Sequence, residues 1–211
     1  MNQSDFIEEL KKINIFPKED QLNKLHKFYE LLTNWNKKIN LTRITEEKEV
    51  YLKHFYDSLT ITKVIDLNKY NTLCDVGTGA GFPGIVLKIM YPNLKITLID
   101  SLQKRVNYLN EIIKELDLKE IEAIHVRAED YKGQFDVVTS RAVANIEKLV
   151  TYKMHLVSKN GVFIAMKGDI DKELTPDITN KLEKKYSIIS IEKFSLPIEN
   201  SKRCLITMKN K

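Results

Sequence analysis

Two rhythms of apolar residues divide the chain. In the first 65 residues Leu22, Leu25, Phe28, Leu32, Trp35 and Ile39 recur every three or four positions, which makes one buried stripe on an amphipathic helix. A shorter helix is predicted before Pro17 from Phe6, Ile7, Leu10 and Ile13. Another is predicted to begin near Thr45, a fair N-cap followed by Glu46 and Glu47, where the helix dipole favours acids. From about residue 71 short apolar runs take over: NTLCDV, KITLID, EAIHV, FDVVTS and GVFIAM. Helix-period stretches separate them, clearest in Leu102, Val106, Leu109, Ile113 and Leu116. Strands alternating with helices of this length predict βαβ units and a parallel sheet. The tail carries two more strand-like runs, SIISIEKF and CLITMK, joined by a loop containing Pro197 and read as a β-hairpin at the sheet's end.

The expected organisation is therefore an N-terminal helical extension over residues 1–65, packed on a core, and an α/β domain over residues 66–211 with a mostly parallel sheet and helices on both faces. With 211 residues, 43% of them hydrophobic, the chain can build a real core. The start MNQSDFIEEL has no basic stretch followed by an apolar run, so no secretory signal is expected. No apolar run approaches the roughly 20 residues of a membrane-spanning helix. A soluble, cytoplasmic protein is expected. Cys74 and Cys204 lie far apart in strand-like contexts, without the paired spacing of a zinc site or a disulfide framework. Reduced thiols, no disulfide-linked partner and no metal are the expectation. The net charge of +5 is mild, compatible with a polyanionic partner without demonstrating one.

The segment CDVGTGAGFPGI follows the first predicted strand and opens the first helix of the sheet domain. Gly77, Gly79 and Gly81 allow a tight turn and a close backbone approach to a ligand. Read from Gly79, the letters also satisfy the dinucleotide fingerprint, so the loop alone does not separate one nucleotide-like cofactor from another. Asp75, just before the first glycine, tilts the choice towards S-adenosylmethionine, because an acid there would oppose a pyrophosphate. Asp100 ends the second strand, where a carboxylate accepts hydrogen bonds from ribose hydroxyls in either cofactor class. The competing reading of both acids is an ordinary strand-end cap.

The fourth strand ends in Ser140-Arg141-Ala142. It lacks the acid or Asn followed by two prolines used on adenine amines, and the cysteine needed at carbon five of a pyrimidine. What remains suits a nucleophile that needs no activation. Guanine N7 carries a free lone pair, so alignment and electrostatics suffice and no general base is required. Arg141 would position guanine or a phosphate, or else form a strand-end salt bridge.

Taken in order, WNKKINLT (35–42), HFYDS (54–58), DVGTGAGFPGI (75–85), LIDSLQKR (98–105), AED (128–130), SRA (140–142) and MKG (166–168) resemble ribosomal RNA small-subunit methyltransferase G, also called glucose-inhibited division protein B. The resemblance runs from about residue 20 to 170; the tail matches in pattern only. It implies a class I Rossmann-like methyltransferase that uses S-adenosylmethionine to make 7-methylguanine in 16S ribosomal RNA, free or in the small subunit. It also implies that Gly77, Phe82, Ala128, Glu129 and Arg141 contact the cofactor. His54 and Asp57, three apart on one helix face, together with Arg105 and Lys167, are substrate-side candidates. Lys104, Lys202 and Arg203 are weaker candidates for a phosphate-binding rim, and Trp35 on its apolar stripe is read as core. The competing functions are an RNA- or ribosome-binding protein without turnover, and an NAD-dependent oxidoreductase.

Overall fold

In the computed structural model, which describes residues 1–141 and 145–211, the alternating runs form β1 (Thr72–Val76), β2 (Lys95–Asp100), β3 (Ile121–His125), β4 (Phe135–Arg141) and β5 (Val157–Lys167). All pair in parallel with their neighbours among these five. The tail runs become β6 (Tyr186–Ser195) and β7 (Lys202–Asn210), an antiparallel pair as expected. The sheet order is β3-β2-β1-β4-β5-β7-β6. The returning strand β7 inserts beside β5 and leaves β6 at the edge. Strand order reverses between β1 and β4, and in such sheets the crevice at the carboxyl ends of the strands there is where ligands bind.

Side chains along the central strands alternate between two apolar cores, as the period of two requires. Leu73, Val137, Ile96 and Ile164 face one core; Cys74, Val138, Ile99 and Phe163 face the other. The first core is covered by α5 (Gly84–Met90) and α6 (Gln103–Glu115), through Ile85, Leu109 and Ile112. The second is covered by α7 (Ile146–Lys153) and α8 (Pro176–Glu183), through Leu149, Val150 and Leu182.

The extension continues the first core. The helices α1 (Gln3–Lys12) and α2 (Glu19–Ile39) insert Phe6, Leu10, Leu25, Phe28 and Leu32 into the same cluster as Ile85 and Leu109. Trp35 packs edge-on against Tyr108, ring centroids 5.8 Å apart. The third helical stretch is irregular. It runs from α3 (Glu47–Val50) through a π-helical segment at Tyr51–Tyr56 into α4 (Asp57–Leu59) and a 3₁₀ turn at Thr60–Lys63. Its N-cap is Glu46, not Thr45: the Glu46 carbonyl accepts the first intrahelical bonds, from Glu49 and Val50, and no side chain caps the end. Ala142 of the SRA motif lies outside the described residues.

Candidate functional site

The loop after β1 is held in a conformation that glycine alone adopts easily. Gly77, Gly79 and Gly81 have φ of +73°, +60° and +94°, in the left-handed half of backbone space. Their surroundings differ. A Cβ on Gly77 would meet nothing within 4 Å, and one on Gly79 only the Gly77 carbonyl at 4.0 Å, so these two face open space. A Cβ on Gly81 would lie 2.6 Å from Ile85 and 3.2 Å from Leu109. Gly81 was expected beside a ligand; the structure turns it inward, where it lets the loop press on α5 and α6. Gly84 plays the same part between β2 and the loop, with a Cβ there 2.2 Å from Leu98.

The two acids are both bound into this loop. Asp75 is completely buried, and its Oδ2 accepts a 2.9 Å bond from the Gly84 amide at the start of α5. It lies beneath the loop and not on its open side. Burial pushes its carboxyl up to about 6. The neighbouring Thr78 hydroxyl and the Gly84 amide pull the other way. Asp100 is 2% exposed; its Oδ2 accepts from the Gly79 amide at 3.0 Å and its Oδ1 from the Leu102 amide at 2.9 Å. Arg105, in the first turn of α6, pairs with the same Oδ2 at 3.3 Å. Arg105 was expected on the substrate side; because α6 follows directly from β2, it is drawn to the acid at that strand's end. Half-buried Ala128 and exposed Glu129 sit in a 3₁₀ turn just beyond β3, the strand next to β2.

The second half of the site joins the extension to β4. Asn36 shapes the turn after α2: its Oδ1 accepts from the Leu41 and Thr42 amides at 2.6 and 2.8 Å, and its Nδ2 donates to the Thr42 carbonyl at 2.9 Å. Thr42 Oγ1 is thereby placed 3.0 Å from His54 Nε2. The other ring nitrogen, Nδ1, lies 3.1 Å from Nη2 of Arg141. A guanidinium only donates, so Nδ1 accepts, the proton sits on Nε2, and Nε2 donates to Thr42. Burial, then the charge of Arg141, lowers the His54 pKa to about 3 and keeps the ring neutral. The imidazole stacks on Phe82 of the glycine loop with centroids 4.3 Å apart, and the Arg141 guanidinium lies over that same ring at 5.1 Å. Phe82 thus links the loop to the β4 end.

Asp57 is 6% exposed and shared by two arginines: Arg203 Nε donates to Oδ1 at 2.9 Å, and Arg141 Nη1 lies 3.6 Å from Oδ2. Burial pushes its carboxyl above the usual range, with the charges of Arg141 and Arg203 working against it. Arg141 also donates to the Lys53 carbonyl at 3.0 Å. Around this network opens a cleft of about 330 Å³ whose lining includes Lys53, His54, Asp57, Arg141, Lys167 and Arg203. Four are cations and one is an acid. Lys167, at the end of β5, pairs with Glu173 at 2.9 Å. His54, Asp57, Arg141 and Lys167 therefore come together from three separate parts of the sequence, while Lys104 and Lys202 do not line this cleft.

Two residues at the site have no clear signal in the sequence. Arg203 looked like one more surface cation in the tail; only its pairing with Asp57 brings it to the cleft. Lys153 belongs to no motif. Its Nζ donates to the Ser140 hydroxyl at the switch point, and burial lowers its pKa to about 8.

The molecule resembles known proteins in both fold and sequence. A solved S-adenosylmethionine-dependent methyltransferase from Aquifex aeolicus superposes with a TM-score of 0.58 at 17% identity, covering 83% of this chain and 97% of that one; this likeness is one of fold. Ribosomal RNA small subunit methyltransferase G of Lysinibacillus sphaericus is 43% identical over 97% of this chain and 89% of its own length. The protein of the same name from Macrococcus caseolyticus is 49% identical over 80% of this chain and 73% of its own. The family model described as rRNA small subunit methyltransferase G matches residues 21–206. With nearly the whole chain covered at this identity, the protein belongs to the rRNA small subunit methyltransferase G family.

Proposed function

We propose that this chain transfers the methyl group of S-adenosylmethionine to N7 of a guanine in 16S ribosomal RNA, acting in the cytoplasm on the RNA or on a small-subunit particle. The carrying observation is that Phe82 joins two openings: the glycine cradle at Gly77 and Gly79, and the basic cleft beyond Arg141. The cradle fits the cofactor, since its two glycines leave free the space a side chain would fill and Asp100 stands at its edge. Bound there, S-adenosylmethionine supplies an electrophilic methyl on a sulfonium.

Gly77, Gly79 and Asp100, with Ala128 and Glu129 beyond β3, hold the cofactor on this reading. Residues 1–65 act as an extension that walls the substrate cleft, and residues 66–211 form the cofactor domain. In the cleft no residue has to remove a proton, because N7 presents a lone pair. Neutral His54 fits that requirement: its one N–H is committed to Thr42 and its lone pair to Arg141. The work left to the chain is alignment and charge. Arg141 and Arg203 offer donors to the base or its phosphates, with Lys53 and Lys167 at the rim.

The test is transfer of labelled methyl to small-subunit particles lacking the modification, then mapping of the base. The expected product is one 7-methylguanine in a loop or distorted region, since the A-form major groove is too deep and narrow for reaction. A chain that binds S-adenosylmethionine yet labels no guanine in such particles would refute the reading.

A further inference from the structure

Lys153 occupies the last turn of α7, a place where a lysine ordinarily reaches into water beside the helix's negative end. Here it does not. Its side chain is partly buried, and Nζ donates to the Ser140 hydroxyl and lies 3.5 Å from the Val76 carbonyl. Val76 ends β1 immediately before Gly77, and Ser140 is the penultimate residue of β4. The ammonium therefore stands at the point where strand order reverses, next to the glycine loop. Both its partners are neutral, and no described carboxylate forms an ion pair with it. Asp75 is the leading negative charge acting on it, but that carboxylate is turned to Gly84. An ammonium has three protons to donate, and holding one away from bulk water without an anion is unfavourable.

We infer that Lys153 is a cofactor-site residue whose remaining N–H donates to the α-carboxylate of bound S-adenosylmethionine. That carboxylate is the only anionic group of the cofactor at neutral pH, and it lies across the sulfonium from the ribose that Asp100 would hold. Phosphates of the RNA are the other available anions, but Lys153 does not line the basic cleft and projects from the helix layer on the other face of the sheet from the extension. The inference rests on the cofactor reading above.

Calorimetry on the full chain separates the possibilities with four probes: S-adenosylmethionine, S-adenosylhomocysteine, decarboxylated S-adenosylmethionine, and 5′-methylthioadenosine, which lacks the whole amino-acid end. Lys153→Met keeps the length and removes the charge. It is expected to weaken the first two by about tenfold or more, the loss of a charged hydrogen bond, and to leave the last two within about twofold. Lys153→Arg should restore part of the loss. If Lys153→Met does not fold, Lys153→Gln is put to the same comparison. Equal weakening of all four probes means Lys153 only supports the strand ends, and no weakening means it does not touch the cofactor; either overturns the inference. A parent chain that binds none of the four overturns the cofactor reading itself, and the inference with it.

Discussion

The Nδ1 atom of His54 accepts a hydrogen bond from Nη2 of Arg141 at 3.1 Å, across 87 residues of sequence. This contact settles the state of both groups. Arg141 is always a donor, so His54 must be neutral with its proton on Nε2, and Nε2 then fixes Thr42. The arginine at the end of β4 is thereby anchored to the extension, with one face on Phe82 and one edge towards Asp57.

Arg141→Ala removes the donor to His54 and one of the two guanidiniums on Asp57. Urea unfolding should show a loss of about 2–3 kcal/mol, the cost of leaving buried polar groups unpaired. Methyl transfer to small-subunit particles should fall about a hundredfold or more, roughly 3 kcal/mol of barrier, with a much smaller change in S-adenosylhomocysteine affinity. Arg141→Lys should not rescue it, since an ammonium cannot span Lys53 O, His54 and Asp57 together. Full activity in either variant would remove Arg141 from the site.

The glycines divide by consequence. Gly79→Ala places a methyl in the open cradle at φ +60°, which should cost about 1–2 kcal/mol in stability and weaken cofactor binding further. Gly84→Ala instead drives a methyl onto Leu98, and overpacking of that kind costs about 1–3 kcal/mol. Thermal unfolding with and without S-adenosylhomocysteine distinguishes them: the ligand-induced rise in Tm should vanish for Gly79→Ala and survive for Gly84→Ala.

Asp100→Asn keeps the side chain's shape but presents an amide where a carboxylate accepts from Gly79, Leu102 and Arg105. Cofactor affinity should fall by about 1–3 kcal/mol, for the weakened acceptor and the loosened loop. Isothermal titration checks this, and parent-like binding would contradict it.

Stability should depend on pH through His54. Its folded pKa of about 3 lies below the ordinary 6.5, so the unfolded chain binds the extra proton between those values. The neutral ring's contribution is complete above about pH 6.5 and is lost as pH falls towards 3, with a slope of up to about 1.4 kcal/mol per pH unit. Asp75, raised from 3.8 to about 6 by burial, acts in the opposite sense across that narrower range, so the parent's net slope is reduced. His54→Asn retains an acceptor for Arg141 but cannot titrate. Its unfolding free energy, measured from pH 7 to 4.5, should decline less with acidification than the parent's.

Arg203→Ala should leave cofactor binding unchanged and raise the KM for ribosomal particles. If the guanidinium neutralises one phosphate, the slope of log affinity against log salt should become shallower by about 1. An unchanged slope together with an unchanged KM would confine Arg203 to holding Asp57.

Much of this protein was legible in the chain itself. Strands β1 to β5 follow from short apolar runs and the long α2 from an apolar period of 3.6, which are local properties of the chain. The glycine loop is equally local: positive φ at Gly77 and Gly79 strongly favours a residue without Cβ, whatever surrounds it. The motifs, in order, carried the family. Tertiary structure decided which groups meet. Asp57 and Arg203 are 146 residues apart, and no periodicity can pair them; insertion of β7 between β5 and β6 does so. Gly81 faces Ile85 because α5 packs down on it, and Arg105 turns to Asp100 because α6 starts where β2 stops. Lys153 was invisible for the same reason. A lysine closing a helix looks solvated in sequence, and only the packing of α7 on the sheet sends its ammonium to the ends of β1 and β4.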